Sequence, residues 1–211
     1  MSPEFRKPAF EAKRPPPAAP ITDNPGQRLE AMYLQIWATS MRELPFVNAA
    51  LSVEAVGFRR WRSASICPSG TDTPAPTGEG EAASRSEPSG DWVGAVITPW
   101  FINLFLLPGG GNLWSDQCPG QRCHILFPVG PLEFIADHDP AAIIPSYQYC
   151  PLFAPPSQFA SQAAARAAAS AALEAMLVPP TVPDPRSSSG DVSAAKPDSA
   201  RRAFLRRFAR P

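Results

Sequence analysis

The prolines are the feature that most constrains how this chain can fold. The sequence contains 28 prolines in 211 residues, whereas average usage is about 5 per cent. Proline fixes φ and has no backbone N–H, so it interrupts helices and the hydrogen-bond ladders of sheets. An all-helical bundle is therefore excluded as the whole structure. Full disorder is disfavoured as well, because 44% of the residues are hydrophobic.

Three segments combine proline with charged or small residues and hold too few apolar side chains to form a core. We predict a disordered Pro-rich extension at 1–23 and a disordered insertion at 62–90. A single domain then spans 24–178, and 179–211 form a linker with a basic tail. The tail is basic because 196–211 contain six basic residues and one acidic residue, although the formal charge of the whole chain is zero. No net charge therefore favours nucleic acid or membrane as a partner.

The order of the predicted elements indicates the fold class. Apolar periodicity after Asp23-Asn24-Pro25 predicts a first helix over 25–42. The alanine-rich run over 157–177 predicts a second helix with Ser157 as its N-cap. Because the strands follow one another without alternating helices, we predict a two-layer α+β fold with an antiparallel sheet and both helices packed on one face. The predicted strands are 50–61, 91–98, 100–107, 122–128, 131–137 and 143–153.

No group of residues has the pattern of a catalytic site. His124 and His138 are isolated, and Asp137-His138-Asp139 is typical of a polar turn. The run Gly109-Gly110-Gly111 lacks the Lys-Ser/Thr of a phosphate loop, so it is interpreted as a flexible turn. Nothing brings a nucleophile, a base and an orienting group together. We therefore predict no enzymatic activity, no cofactor and no metal.

The cysteines leave one alternative open. Cys118 and Cys123 are spaced C-x4-C, which differs from the paired C-x-x-C motifs of zinc or rubredoxin sites. A metal- or redox-handling role that uses these two residues with Cys150 and His124 remains the second hypothesis. No secretory signal precedes them, so we expect reduced thiols in the cytoplasm. The apolar stretch 92–108 contains Pro99 and Asn103, and it is shorter than the about 20 residues of a membrane span.

Several motifs, in order along the chain, carry a family resemblance. The segment 91–100 (DWVGAVITPW), an apolar run to Leu107, Pro108-Gly109 and Leu113-Trp114 match the pattern W-x-G-x-x-I-T-P-W, apolar run, P-G and L-W. The segments 127–130 (FPVG), 147–156 (YQYCPLFAPP) and 201–205 (RRAFL) match further motifs. Over about 28–207 the chain resembles the HybE/HupJ family of [NiFe]-hydrogenase assembly chaperones.

The resemblance implies a non-enzymatic chaperone that acts in the cytoplasm on hydrogenase precursors before twin-arginine export. Its partners would be the precursor of the large subunit, the small subunit or both, possibly through a twin-arginine signal peptide. A groove lined by Trp100, Phe101 and Trp114 would cover the apolar surface of the client. The full set of predicted partner-binding residues is Trp92, Trp100, Phe101, Pro108, Gly109, Trp114, Phe153, Pro155 and Phe159.

The C-terminal tail carries a separate hypothesis. Arg201, Arg202, Phe204 and Leu205 resemble the twin-arginine pattern S/T-R-R-x-F-L-K, although they lie at the end of the chain opposite to an export signal. We hypothesise that the tail mimics the signal peptide of the client and occupies the same groove. The insertion at 62–90 and the extension at 1–23 have no recognised counterpart in the family pattern.

Overall fold

The computed structural model describes residues 14–63 and 90–178. An α-helix, a five-residue π-helical turn, six strands and a second α-helix follow one another along the chain. Within the described residues, no helix is both long and apolar enough to cross a membrane. The elements are α1 (Gly26–Ile36), the π-helical turn (Trp37–Met41), β1 (Glu54–Trp61), β2 (Asp91–Ile97), β3 (Ile102–Leu107), β4 (Arg122–Phe127), β5 (Gly130–His138), β6 (Ser146–Phe153) and α2 (Gln162–Leu177).

The six strands form one antiparallel sheet in the order β1-β2-β3-β6-β5-β4. The interior strands β2 and β3 are buried along their whole length, and they are joined by a tight turn around Pro99. The sheet is open, so β1 and β4 are its edge strands. The predicted α+β class, the antiparallel sheet and the six strands are confirmed.

The two helices lie on opposite faces of the sheet, which differs from the predicted two-layer arrangement with both on one face. α2 packs on the face that carries Val93 and Ala95, whereas α1 packs on the face that carries Trp92 and Val96. The molecule therefore has three layers. The strand β2 is apolar on both faces, because both are covered. An uninterrupted apolar run does not reveal which helix covers which face, so the prediction had no signal to separate them.

The first helix begins and ends close to the predicted positions. The side chain of Asn24 accepts a hydrogen bond from the backbone N–H of Gly26 (2.9 Å) and thereby satisfies one of the free donors of the first turn. After Ile36 the helix widens into the π-helical turn. There the hydroxyl of Thr39 donates to the carbonyl of Gln35 (2.9 Å).

The second helix begins five residues later than predicted, and its N-cap is Ser161, not Ser157. The hydroxyl of Ser161 accepts a hydrogen bond from the backbone N–H of Ala164 (3.3 Å), and its backbone is extended as a cap requires. Residues 157–160 form turns and bends before the helix. Their sequence is compatible with a helix, but their backbone is held elsewhere: the carbonyls of Pro156 and Phe159 both accept hydrogen bonds from the side chain of Asn48.

Part of the predicted disordered extension has a defined position. Residues 14–23, hereafter the strap, belong to no helix or strand, and the backbone N–H of Ile21 donates to the carbonyl of Pro108 (2.8 Å). The prediction of disorder is therefore wrong for the strap, because side chains distant in sequence supply its hydrogen-bond partners. The rest of that extension (1–13), most of the predicted insertion (64–89) and the linker and tail (179–211) lie outside the described residues.

The position of the α2 cap is testable with two serine variants. Ser161→Ala should lower the free energy of unfolding by about 1 kcal/mol, because the N–H of Ala164 loses its acceptor at the first turn. Ser157→Ala, in the exposed turn before the helix, is the matched control and should change it by less than about 0.5 kcal/mol. Urea unfolding followed by circular dichroism measures both. Equal losses in the two variants would contradict the observed cap.

Candidate partner-binding site

The predicted partner-binding residues are found at two opposite ends of the sheet. Trp92 pairs with Leu107 at one end of β2 and β3, whereas Ile97 pairs with Ile102 at the other. One group surrounds the first end, at the start of β2, and consists of Trp92, Pro108, Gly109 and Trp114. The second group surrounds the other end, at the turn between β2 and β3, and consists of Trp100, Phe101, Phe153, Pro155 and Phe159.

The predicted groove of Trp100, Phe101 and Trp114 is therefore not formed. Besides lying at different ends of the sheet, these residues face different helices. Trp100 and Phe101 pack against the core on the α1 side, and Trp114 packs against the core on the α2 side. Motifs that are adjacent in sequence do not imply a common surface. Between Phe101 and Trp114 the strand β3 carries the chain from one end of the sheet to the other.

The first group is organised by the buried carboxylate of Asp91. Its Oδ1 accepts hydrogen bonds from the backbone N–H groups of Gly109 (2.9 Å) and Gly111 (3.0 Å). Its Oδ2 accepts from those of Leu113 (2.8 Å) and Trp114 (2.9 Å). Asp91 is fully buried, and four backbone donors satisfy its charge without a basic side chain. The glycine run is therefore a loop held in place by this carboxylate, in contrast to the predicted flexible turn.

The glycines of this loop are required by the close approach of two backbones. A Cβ on Gly109 would collide with the carbonyl of Gly90, and a Cβ on Gly111 would collide with the backbone nitrogen of Asp91. Pro108 and Gly109 are buried, and Trp92 is only 8% exposed. Their place in the motifs is thus explained by folding, and their side chains are covered in this structure.

The second group begins with a tight turn made by the Thr98-Pro99-Trp100 motif. The backbone N–H of Thr98 donates to the carbonyl of Phe101 (2.8 Å), and the Thr98 hydroxyl accepts from the N–H of Phe101 (2.9 Å). The turn projects the indole of Trp100 onto that of Trp37. The two rings are stacked at 5.9 Å with an interplanar angle of 8°. Both residues are half-buried.

Further aromatic residues extend this end of the molecule. Phe101 packs edge-on against Tyr33 (5.2 Å), and Phe153 packs edge-on against Phe159 (5.0 Å). Asn48 connects the two pairs, because its N–H donates to the carbonyl of Pro99 (2.7 Å) while its side-chain amide holds the carbonyls of the 156–159 turn. We call this end the aromatic end. It comprises Trp37, Phe46, Trp100, Phe101, Phe153, Pro155 and Phe159.

Two aromatic residues of this end were missed by the sequence prediction. Phe46 is 50% exposed in the loop after the π-helical turn, and Trp37 lies within the predicted first helix and was not among the predicted partner-binding residues. Leu34, one helical turn before Trp37, is also 50% exposed. Phe46 lies two residues before Asn48, which bonds to the turn around Pro99. Exposed apolar side chains near two stacked tryptophans are typical of recognition sites. Only the ring stack and the loop position reveal this surface.

The positions of Cys123, Cys150 and His124 give the cysteine and histidine alternative no support. Cys123 and His124 are successive residues of β4, so their side chains point to opposite faces of the sheet. β4 and β6 flank β5, which places Cys123 and Cys150 about 10 Å apart, beyond the about 7 Å that a disulfide can span. Burial raises the pKa of the Cys123 thiol. This opposes the thiolate that redox chemistry requires.

Asp137 and His138 are the last residues of β5 and pair with β6, so the predicted polar turn is wrong for these two residues. Asp137 accepts from the hydroxyl of Tyr147 (2.8 Å), and His138 Nδ1 lies 2.8 Å from the hydroxyl of Ser146. Desolvation, followed by the neighbouring Tyr33 and Asp137, raises the pKa of Tyr147. Across the described part of the chain, no group of three histidine, cysteine or acidic residues is arranged to hold a metal ion.

Comparison with known proteins identifies the class. The family model described as "[NiFe]-hydrogenase assembly, chaperone, HybE" matches residues 24–207. The chain therefore belongs to the HybE family of [NiFe]-hydrogenase assembly chaperones. Its sheet and helices resemble the solution structure of HybE from Escherichia coli, with a TM-score of 0.52 and 19% identity. That match covers 86% of this chain and 96% of the other, and at this identity it shows the fold alone.

Three relatives illustrate the sequence similarity. The chain is 34% identical over 125 residues to the probable rubredoxin HupJ of Rhodobacter capsulatus, and the match covers 59% of this chain and 34% of that protein. It is 34% identical over 140 residues to the protein HoxT of Cupriavidus necator (64% and 65%). It is 22% identical over 139 residues to the hydrogenase-2 operon protein HybE of Escherichia coli K12 (65% and 67%). The chain thus spans from about a third to about two thirds of these relatives.

The Asp91 loop yields a direct prediction. Asp91→Asn keeps the shape of the side chain but directs an NH₂ group at two of the four backbone N–H groups that the carboxylate now binds. We expect a loss of about 2 to 3 kcal/mol in the free energy of unfolding, the range for removal of a charged, buried acceptor. The control Asp139→Asn changes an exposed carboxylate and should cost less than about 0.5 kcal/mol. Urea unfolding of both variants measures the change. An Asp91→Asn protein with the wild-type free energy of unfolding would contradict the role of the carboxylate.

Proposed function

We propose that this protein binds precursor subunits of a [NiFe]-hydrogenase in the cytoplasm and holds them during assembly, before twin-arginine export, without catalysing a reaction. Membership of the assembly chaperone family supports the hydrogenase as client. The single structural observation that carries a binding role is the exposed apolar surface at the aromatic end. It includes the stacked Trp37 and Trp100, with Leu34 and Phe46 each half exposed.

The aromatic end suits a reversible contact with an unassembled subunit. A precursor exposes apolar surface that its partner subunit later covers, and large aromatic side chains bury much area with few rotatable bonds. Thr98 and Asn48 hold the backbone of this end by hydrogen bonds. The aromatic side chains are thus presented on a fixed frame, which lowers the entropy cost of binding. The proposed contact residues are Leu34, Trp37, Phe46, Trp100, Phe101, Phe153, Pro155 and Phe159.

A chaperone without chemistry also agrees with the other described side chains. The polar groups near the aromatic end, Thr98 and Asn48, are engaged with backbone carbonyls and N–H groups of the fold. The cysteines and histidines of β4 to β6 lie along the strands and do not converge on this surface.

A pair of exposed apolar residues permits a matched test. Phe46→Ser at the aromatic end should weaken binding to the client by at least about tenfold, which is typical of a truncated aromatic anchor. Leu126→Ser, at an even more exposed position on β4 (66%), should change it by less than about twofold. The probes are the purified large-subunit precursor and the small-subunit precursor, each tested separately by surface plasmon resonance.

Two outcomes of this comparison would contradict the proposals. If Leu126→Ser weakens binding and Phe46→Ser does not, the client docks at the β4 edge and the assignment of the aromatic end is wrong. If the wild-type chain binds neither precursor, the proposed function itself fails. Melting temperatures of both variants control for loss of the folded state, because each substitution removes a surface side chain.

The basic tail adds a separate proposal about the signal peptide. Arg201, Arg202, Phe204 and Leu205 lie outside the described residues, and 201–205 fall within the family match. We propose that the tail competes with the twin-arginine signal of the client because it carries the same sequence pattern.

Deletion of 199–211 tests the tail. The shortened chain should bind a synthetic twin-arginine signal peptide more tightly than the full chain, because an attached competitor acts at an effective concentration in the millimolar range. Fluorescence anisotropy of the labelled peptide measures the affinity. A peptide in which both arginines are replaced by alanine is the control. Equal affinities for the full and shortened chains would refute competition by the tail.

A further inference from the structure

The strap is seated on the sheet almost entirely through its own backbone. The N–H of Ile21 donates to the carbonyl of Pro108 (2.8 Å), and the carbonyl of Ile21 accepts from the indole N–H of Trp92 (2.9 Å) and from Arg60 (3.2 Å). The carbonyl of Thr22 accepts a second bond from Arg60 (2.6 Å). Both backbone groups of Ile21, its N–H and its carbonyl, are thus hydrogen-bonded to the site. This is how proteins bind an extended peptide of variable sequence.

The groups that grip the strap are held in place by contacts that do not involve it. The guanidinium of Arg60 donates to the carbonyl of Gly109 (2.8 Å) and lies over the ring of Trp92, 4.8 Å from its centroid. Trp92 is buried in β2, and the loop that carries Pro108 is fixed by the carboxylate of Asp91. These contacts restrain the donors and acceptors of the site independently of residues 18–22.

The strap itself has the character of a ligand more than of a core element. It belongs to no helix or strand, and it precedes the family match, which begins at residue 24. Its run Pro15-Pro16-Pro17 and Pro20 favours an extended backbone and reduces the entropy lost on docking. One further bond, from the N–H of Ala18 to Asp116 (3.0 Å), also uses main chain. Among its described side chains, Ile21 packs against the α1-side core.

The fit beneath the strap is incomplete. A cavity of about 310 Å³ lies between the strap and the segment that joins β5 to β6, and Ala18, Ala19, Ile144 and Ser146 are among the residues that line it. The small side chains of Ala18 and Ala19 leave this space. A peptide with the same backbone path and larger apolar side chains has room to fill it.

From these contacts we propose that Arg60, Trp92 and the Pro108 carbonyl form a binding site for an extended, proline-containing peptide segment. Residues 18–22 occupy this site as an internal ligand that competes with such a segment of a partner protein. The site lies at the opposite end of the sheet from the aromatic end, and the inference does not depend on the hydrogenase role. The complex between site and strap is itself the observation on which the assignment rests.

The test uses the full-length chain with Ile21→Pro. Proline lacks the N–H that donates to Pro108 and the side chain that packs on the core, so the strap should leave the site. The probe is a synthetic peptide of residues 15–24. It should bind the variant with a Kd at least about tenfold lower than the wild-type chain, in which the attached strap competes at a millimolar effective concentration. Ala19→Ser, at an exposed position of the strap, is the matched control and should behave as the wild-type chain does.

The indole N–H resonance of Trp92 reports on occupancy, because this group donates to Ile21. Trp92→Phe assigns the signal. The resonance should move in Ile21→Pro and return towards its wild-type position when the peptide saturates the site, whereas a peptide with the same Ile21→Pro change should leave it unmoved. An unmoved signal in the variant, or a moved signal without peptide binding, overturns the proposal. Equal peptide affinities for the variant and wild-type chains also overturn it.

Discussion

The carboxylate of Asp91 is the interaction on which much of the observed structure depends. A buried charge is costly unless hydrogen bonds satisfy it, and here four backbone N–H groups of the 109–114 loop do so. The loop therefore has to fold back onto the first residue of β2. This return positions the carbonyl of Pro108 for the strap and places Trp114 against the α2-side core. The glycines at 109 and 111 are needed because the two backbones touch.

The same constraint gives the two ends of the sheet different roles. At the Asp91 end the residues of the sequence motif hold the 109–114 loop, and Trp92 and Pro108 are buried. At the opposite end the turn around Pro99 is held by Thr98 and Asn48, and its tryptophan stacks on Trp37. Exposed apolar side chains therefore remain at the aromatic end, while the Asp91 end holds the backbone of the strap.

The three-layer arrangement also separates the functional hypotheses in space. α1 and its π-helical turn bring Trp37 and Tyr33 to the aromatic end on one face. α2 covers the other face, where Cys150 is buried among aliphatic side chains. The thiol of Cys123 faces the same layer at the edge of the core, with burial raising its pKa. Cys123 and Cys150 thus lie in a packing environment, away from the exposed aromatic surface.

Sequence alone determined the class of the fold and the order of its elements. Apolar runs between prolines located all six strands, and the ordered motifs around Trp92, Trp100 and Cys150 identified the family, because these signals are local. Three outcomes needed the tertiary structure: the opposite faces of the helices, the docking of the strap, and the separation of Trp100 from Trp114. Their cause is common to all three. Residues distant in sequence decide whether a side chain lies in the core, lies at the surface or forms a hydrogen bond. The sequence of a strand that is buried on both faces does not indicate which element covers which face.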